Sequence, residues 1–338
     1  MAGRWQFGAI ELDEPGAADL ERFTLCRCRH LMISRRAFLQ SALVGGSIVA
    51  AGLARRDLQL DGPTGDFRLE DVTVAIAGLP PAFHGYRIGF LTDLHLGVWV
   101  PEEWIVRGID ELSKRQVDLL ILGGDYILVN ELNLWQQLGI VRSEKFSAMS
   151  KPEAIPAIYS TIADIFDGRQ FSDGIYGVVG NHDHWNAFPI FQTIMRERRG
   201  FSILINEEIQ IRRGEQRLHV FGVDDYLTGL PALPPSIPLT PGLSARIIVS
   251  HNPDYIPALL QHPSCSFNFA MCGHTHGGQI VLPILGPIAA QVADRRFVSG
   301  TRMIGERHIY TSRGLGVVGL PFRLNCPAEA TLFTLVQA

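Results

Sequence analysis

The sequence has few cysteines and only a small excess of charge of one sign. Its five cysteines among 338 residues are too few and too scattered for a disulfide framework. Cys26 and Cys28 lack the matching second pair that a zinc knuckle needs. The formal net charge of −4 and the pI of about 6.3 indicate no broad cationic surface. We therefore expect no specific nucleic-acid partner.

The sequence also lacks an apolar run of the roughly 20 residues that a membrane-spanning helix needs. Its longest candidate, Ser41–Ala54, is shorter and contains three glycines. Arg35 and Arg36 precede this run, a pattern typical of a twin-arginine (Tat) export signal over residues 32–56. An ordinary buried helix is the alternative. Export would require the Tat translocase and would place the protein in the periplasm or on the outer face of the cytoplasmic membrane.

The signal lies unusually far from the first residue. Met32 would begin a Tat signal of ordinary layout, so we expect translation to start there and residues 1–31 to be an upstream extension. The pattern does not decide whether the signal is cleaved near Ala54 or retained as an anchor. Because the Tat pathway carries folded proteins, it suits a protein that loads a metal before export.

The rest of the chain has the composition of a globular domain, with 46% hydrophobic and 19% charged residues. Apolar runs alternate with predicted helices over 101–115 and 153–166, which indicates an α/β core whose strands are buried on both faces. Neither an internal repeat nor a clean break is visible, so we predict one domain over residues 68–338. The strand-containing segments are Tyr86–Gly97, Val117–Tyr126, Gly174–Trp185, Ala245–Asp254 and Phe267–Gly278.

Each of these five segments ends in polar residues, and in open α/β sheets ligands bind beyond the carboxyl ends of the strands. A single H-x-H motif fits a solvated polar loop as well as it fits a metal site. The polar residues of all five segments together, however, offer too many ligands for one tetrahedral ion. Oxygen and imidazole ligands without thiolate favour Mn, Fe, Zn or Co, and the carboxylates favour Mn. The polar residues are Asp93, His95, Asp125, Asn181, His182, Asp183, His251, His274 and His276.

The ordered set D-x-H, G-D, G-N-H-D, H and G-H-x-H resembles the signature of the calcineurin-like metallophosphoesterase superfamily. The stretches "HNPDYIP", "GHTHGGQI" and "SRGLGVVGLPFRLNCPAE" resemble its branch of exported or membrane-associated phosphodiesterases. The resemblance implies a four-layer αββα sandwich with a dinuclear metal site at the carboxyl ends of the strands. It extends from about Arg68 to the end of the chain.

The resemblance also implies roles for these residues. His182 would be the catalytic histidine, which protonates the leaving oxygen or stabilises charge on the phosphoryl oxygens, and Asp183 would orient the His182 ring. Two divalent ions would clamp a phosphate and activate a bridging water. One ion would be held by Asp93, His95 and His276, the other by Asn181, His251 and His274, and Asp125 would bridge both.

We therefore expect metal-dependent hydrolysis of a phosphodiester or pyrophosphate bond. An envelope lipid-linked or nucleotide-sugar-like substrate is favoured, as in the relatives of UDP-2,3-diacylglucosamine hydrolase. Export conflicts with that particular substrate, which is a cytoplasmic intermediate. The alternatives are a broad phosphomonoesterase, a nuclease, or a non-catalytic metal-retaining protein that binds the envelope.

Three further features have weaker interpretations. Arg313, in a loop expected near the metals, is a candidate contact to a substrate phosphate, and His184 is a candidate substrate contact or a supporting residue. Gly314–Gly319 matches G-x-G-x-x-G, but the following Pro321 and the short remaining chain exclude a dinucleotide site. Residues 131–150 suit a packed helix, or a lid whose apolar side chains meet a lipid or a membrane surface.

Overall fold

The computed structural model describes residues 60–61, 66–129, 144–197 and 201–338. The predicted upstream extension, the Tat signal and most of the 131–150 segment lie outside these ranges. Strand β1 (Leu60–Asp61) precedes the predicted start of the domain and pairs antiparallel with β17 (Arg323–Leu324). Within the described residues, every helix is too short or too polar to cross a bilayer.

The described strands form two six-stranded sheets and three small two-stranded pairs. The first sheet contains β2 (Arg68–Ile76), β3 (Arg87–Leu91), β5 (Leu119–Leu122), β7 (Ile175–Gly177), β8 (Ser202–Ile203) and β18 (Glu329–Gln337). The second contains β9 (Glu207–Arg213), β10 (Gln216–Gly222), β11 (Ser244–Ser250), β12 (Phe269–Cys272), β15 (Gly300–Ile304) and β16 (Arg307–Thr311). The pairs are β1–β17, β4 (Leu96–Gly97) with β6 (Ile127–Leu128), and β13 (Val281–Leu282) with β14 (Gly286–Pro287).

The strands that carry the predicted site are parallel within each sheet. The first sheet has the order β2-β18-β3-β5-β7-β8, and β3, β5, β7 and β8 run parallel to one another. The second has the order β15-β16-β12-β11-β10-β9, with β10, β11, β12 and β16 parallel. Because parallel strands end at one edge of a sheet, each sheet collects its polar strand ends at a single edge.

The described residues form six helices, four of which cover the outer faces of the two sheets. The six helices are α1 (Glu102–Ser113), α2 (Glu144–Ser147), α3 (Lys151–Phe166), α4 (Asn181–Trp185), α5 (Phe188–Glu197) and α6 (Ile256–Gln261), together with four short 3-10 turns (Pro81–Phe83, Pro253–Tyr255, His276–Gly278 and Arg295–Phe297). The helices predicted over 101–115 and 153–166 are confirmed as α1 and α3. A capping box between Ser150 and Glu153 begins α3.

Three apolar layers hold this arrangement together. One lies between the first sheet and helices α1, α3 and α5, and another lies between the two sheets, where Ile88 and Phe90 meet Val220 and Ile247. A third lies between the second sheet and α6. The predicted four-layer αββα sandwich is therefore confirmed, and the strands read as continuous apolar runs because both of their faces are covered.

Candidate metal centre

The turns that follow the strands have an unusual backbone. Five predicted ligands have φ between 48° and 70°, in the left-handed region that non-glycine residues avoid. Such a conformation costs an L-residue about 1–2 kcal/mol. Backbone strain of this kind clusters at functional sites, where the surrounding fold holds it in place. The five residues are Asp93, His95, Asp125, His274 and His276.

Two glycines of the signature are required by close approach. A Cβ on Gly180 would collide with the Asp125 carboxylate and stand 2.7 Å from the Asp125 backbone nitrogen. A Cβ on Gly273 would collide with the Thr92 hydroxyl and stand 2.6 Å from Oδ2 of Asp93. The backbone of each turn thus packs directly against a predicted ligand from another strand, which no larger residue permits.

The first group of ligands comprises Asp93, His95 and His276, whose ligand atoms lie within 4.8 Å of one another. Nε2 of His95 and Nε2 of His276 are 3.0 Å apart, and Nε2 of His276 is 3.5 Å from Oδ1 of Asp93. Burial lowers the pKa of His95 to about 3 and holds that of His276 well below its usual range. Both imidazoles are therefore neutral, which is the form that binds a metal ion, and their Nε2 atoms lie next to each other.

The second group comprises Asp125, His251 and His274. Nδ1 of His251 lies 2.8 Å from the carbonyl oxygen of Gly123. Since a carbonyl only accepts, Nδ1 carries the proton, and Nε2 of a neutral ring turns its lone pair toward Oδ2 of Asp125, 3.3 Å away. A hydrogen bond of this kind commonly sets the tautomer of a metal-binding histidine.

Asp125 lies between the two groups. Its Oδ2 is 3.7 Å from Nε2 of His95 and 3.3 Å from Nε2 of His251. Asn181 is buried at the start of α4, directly before His182, whose backbone N–H donates to Oδ1 of Asp125, and Oδ1 of Asn181 has no hydrogen-bond partner among the described residues. The structure thus brings the predicted ligands of both ions to one buried site.

The buried charges at this site favour bound cations. Burial raises the pKa of Asp93 to about 6, and the nearby Asp125 carboxylate also raises it. Burial lowers the pKa of His251, but the Asp125 carboxylate outweighs it and raises that pKa to about 10. In the metal-free protein, protons therefore supply the positive charge that the two carboxylates need. Divalent ions suit the same donors and would displace those protons.

Metal affinity is expected to depend on pH differently at the two groups. Below about pH 6, affinity at the Asp93 group should fall about tenfold per pH unit, because the carboxyl must lose its proton. At the His251 group, affinity should keep rising up to about pH 10, because that imidazole holds its proton until then. Chelator competition across this range, with proton release measured by calorimetry, tests the prediction. An affinity independent of pH would contradict it.

The comparisons with known proteins agree with this geometry. No family model matches the chain. The phosphodiesterase YaeI of Escherichia coli is 32% identical over 256 residues, which cover 74% of this chain and 82% of that protein. The chain belongs to the calcineurin-like metallophosphoesterase family.

Two Bacillus subtilis members resemble this metallophosphoesterase more weakly. YkuE is 27% identical over 308 residues, which cover 90% of this chain and 98% of YkuE. YkoQ is 26% identical over 275 residues, which cover 79% of this chain and 90% of YkoQ. Membership of the family makes this protein an enzyme of the metallophosphoesterase type and implies divalent metals, which the clustered histidines and aspartates could hold.

His182 of this metallophosphoesterase lies against the ligands. Its backbone nitrogen donates to Oδ1 of Asp125 at 2.9 Å, and its ring stands edge-on to those of His95 and Trp185, with centroids 4.8 Å and 5.0 Å away. Burial lowers its pKa. Nδ1 of His182 has no hydrogen-bond partner among the described residues. The side chain is thus a neutral imidazole at the edge of the metal centre.

The predicted role of Asp183 is wrong. Instead of orienting the His182 ring, its carboxylate accepts hydrogen bonds from three backbone N–H groups. Oδ2 accepts from Asp125 and Gly180, and Oδ1 accepts from Tyr126, each at 2.9 Å. Asp183 therefore holds the turn that presents Asp125 against the start of α4.

Replacement of Asp183 by asparagine should lower stability. An amide nitrogen would face one of the three N–H donors, which should cost about 2–4 kcal/mol of unfolding free energy. Denaturant unfolding of the metal-stripped variant measures this, with Asp66→Asn as a control because Asp66 is 92% exposed. A variant of unchanged stability but reduced kcat would instead support an orienting role toward His182.

The structure also revises the two weaker predictions. His184 is 2.8 Å from Oδ1 of Asp224, and this hydrogen bond raises its pKa, so the ring is engaged by a neighbouring loop. Arg313 pairs with Glu70, and its Nε lies 2.7 Å from Oε2 of Glu329. Its guanidinium thus joins β2 to β18, which gives it a structural role and disfavours the predicted phosphate contact. The loop of Arg313 does lie at the centre, as predicted, because the Gly316 N–H donates to the Asp93 carbonyl at 2.7 Å.

Two residues near the centre were missed. Asp225 is fully buried after β10, and its Oδ1 has no hydrogen-bond partner among the described residues. β10 is a further parallel strand that is followed by a carboxylate. The expectation that ligands lie beyond the carboxyl ends of such strands therefore applies to it too. Arg323 is fully buried and donates to the carbonyls of His276 and Gly316. It ties a ligand turn to the loop beside Asp93, and no local sequence pattern indicates this.

Proposed function

We propose that this metallophosphoesterase hydrolyses a phosphodiester or pyrophosphate bond at a pair of divalent ions. The observation that carries the proposal is the position of Asp125, whose carboxylate faces an imidazole of each ligand group. When bound, the ions supply Lewis-acid polarisation of the phosphoryl oxygens and activation of the attacking water. Mn suits the mixture of carboxylate and imidazole ligands best, and Zn or Fe would also fit. The ligands would be Asp93, His95 and His276 for one ion, Asn181, His251 and His274 for the other, and Asp125 for both.

His182 would act on the substrate directly. Its ring has no hydrogen-bond partner at Nδ1 and stands beside His95, so a ring N–H can reach an oxygen of a phosphate held at the centre. Donation to the leaving oxygen or to a phosphoryl oxygen stabilises the charge that develops there. Asp183 contributes indirectly, by holding the turn of Asp125.

An apolar surface beside the centre favours a substrate with an acyl or aromatic group. Trp185 is 52% exposed and packs against the ring of His182. Tyr226, Leu227 and Leu230 are also exposed, in the loop after β10. Apolar side chains held in water beside a phosphate site suit the lipid or base of a lipid-linked or nucleotide-sugar-like molecule. We therefore propose an envelope substrate of this class.

A substrate panel assayed with Mn tests the reaction and its class. It should contain an aryl phosphodiester, an aryl phosphomonoester, a nucleotide sugar, a lipid-linked pyrophosphate and single-stranded DNA. We expect the diester and pyrophosphates to be hydrolysed and the monoester and DNA to be poor substrates. Preference for the monoester would indicate a broad phosphomonoesterase, and DNA cleavage a nuclease. Bound metal without turnover of any compound would indicate a binding protein.

We also propose that the protein is exported by the Tat pathway and acts outside the cytoplasmic membrane. The support is the Arg35–Arg36 pair before the apolar run Ser41–Ala54. Cell fractionation of an Arg35→Lys/Arg36→Lys variant tests this, since the variant should remain in the cytoplasm. A peptide map of the native precursor that contains Trp5 would contradict a start at Met32.

A further inference from the structure

An apolar hairpin projects beside the metal centre. Strands β13 and β14 pair with Val281 opposite Pro287, and Ile284 and Leu285 lie in the turn between them. Ile284 is fully exposed, and Leu285 and the following Ile288 are 66% and 56% exposed. Ile284 also has φ of 70°, which is strongly disfavoured for a β-branched residue. Solvent exposure and the left-handed backbone conformation both disfavour isoleucine at position 284. An apolar partner that covers the side chain would explain why it stands there.

The hairpin is attached to the metal centre at both ends. It follows the turn that contains His276, and a Cβ on Gly278 in that turn would collide with Pro287 of β14. Beyond the hairpin, the ring of His274 donates a hydrogen bond to the backbone carbonyl of Gln291. The base of the hairpin is thus part of the rim around the ligands.

Strand β1 lies at the foot of this hairpin. Leu60 pairs with Leu324, and Leu324 forms a bridge with Ile280, the residue before β13. In the sequence, five residues separate the end of the apolar run Ser41–Ala54 from Leu60. The first described strand of the domain therefore lies beside the hairpin.

The charges around the hairpin favour an anionic surface. Residues 281–293 contain no charged side chain, and residues 294–302 contain three arginines and one aspartate. Arg296 is paired with Asp294, whereas the exposed Arg295 donates to the carbonyl of Pro287 at 2.8 Å, at the hairpin itself. Apolar side chains next to arginine are typical of segments that enter the interface of an anionic membrane.

We propose that the hairpin of residues 281–288 inserts its apolar tip into an anionic phospholipid membrane and thereby sets the metal centre against the headgroup layer. A phosphodiester or pyrophosphate of a lipid would then reach the ligands without leaving the bilayer. The lipid substrate rests on the function proposed above, whereas the membrane contact does not depend on it.

Partition of the full chain onto vesicles tests this contact. Sedimentation with vesicles of phosphatidylcholine and phosphatidylglycerol should be at least about tenfold weaker for Ile284→Asn/Leu285→Asn, because two apolar side chains lose their burial. Met303→Asn is the matched control, since Met303 is 60% exposed on the edge strand β15. The hairpin variant should melt no lower than the wild type, because asparagine tolerates positive φ. It should also hydrolyse a soluble aryl phosphodiester at the wild-type rate.

Equal partition of the hairpin variant and the wild type would overturn the proposal, since the N-terminal run would then account for all binding. A shift from dimer to monomer in the variant, seen by sedimentation velocity without vesicles, would also overturn it by showing that a second copy covers the tip. If the wild type binds vesicles through the hairpin but hydrolyses no diester, the membrane contact stands and the proposed function fails.

Discussion

Asp125→Asn is expected to lower kcat/KM on an aryl phosphodiester at least about a thousandfold. The Asp125 carboxylate faces His95 in one ligand group and His251 in the other, so its charge would serve both of the proposed ions. Metal ions contribute several kcal/mol of transition-state stabilisation, and each ~1.4 kcal/mol corresponds to tenfold in rate. Asparagine keeps the shape of the side chain but removes the negative charge.

The metal content of Asp125→Asn shows whether its loss of activity comes with a loss of bound metal. Elemental analysis after dialysis against Mn should find fewer than two ions per chain in Asp125→Asn. The same measurement should find the wild-type content in Asp66→Asn, which removes an exposed carboxylate. An Asp125→Asn protein with full metal content and full activity would show that Asp125 does not bridge the two groups.

His182→Gln is expected to lower kcat about 10²–10⁴-fold while both metals remain bound. Loss of a general acid of this kind has effects of that size. The side chain lies within 4.8 Å of ligand atoms of both His95 and Asp125, so it is close enough to act on a held phosphate. Its backbone contact with Asp125, which glutamine retains, keeps the turn in place.

His184→Gln is the matched control, because His184 lies on the same short helix but pairs with Asp224. It should alter kcat far less than His182→Gln does. Substrates with a good leaving group, such as an aryl alcohol, should suffer less from His182→Gln than an alkyl phosphodiester, since they need less protonation. Loss of one metal in His182→Gln would instead assign His182 as a ligand, a role that its place in a ligand group with His95 and Asp125 also allows.

The clustering of the candidate ligands could be predicted because it follows from strand direction. Asp125 and His251 belong to different sheets and are 126 positions apart, but each follows a parallel strand, and such strands end at one edge. Apolar runs that end in Asp, Asn or His are visible in the sequence. The same rule would have found Asp225, which follows the parallel strand β10.

The supporting contacts could not be predicted in this way. Whether the Asp183 carboxylate meets a ring or three backbone N–H groups depends on the path of the Asp125 turn, which carries no side-chain signal. The partner of Arg313 is Glu70, 243 positions away on a different strand. Tertiary packing determines both contacts. The local sequence around an arginine near a phosphate site is the same whether its side chain contacts the substrate or a buried carboxylate.

Titration of metal-stripped protein with Mn, followed by hydrolysis of an aryl phosphodiester, tests the central claim most directly. If two ions share the centre through Asp125, turnover should be absent without metal and should reach its maximum at two equivalents of Mn per chain. Turnover that persists without metal, or that is complete at one equivalent, would contradict the two-ion centre on which the proposed function depends.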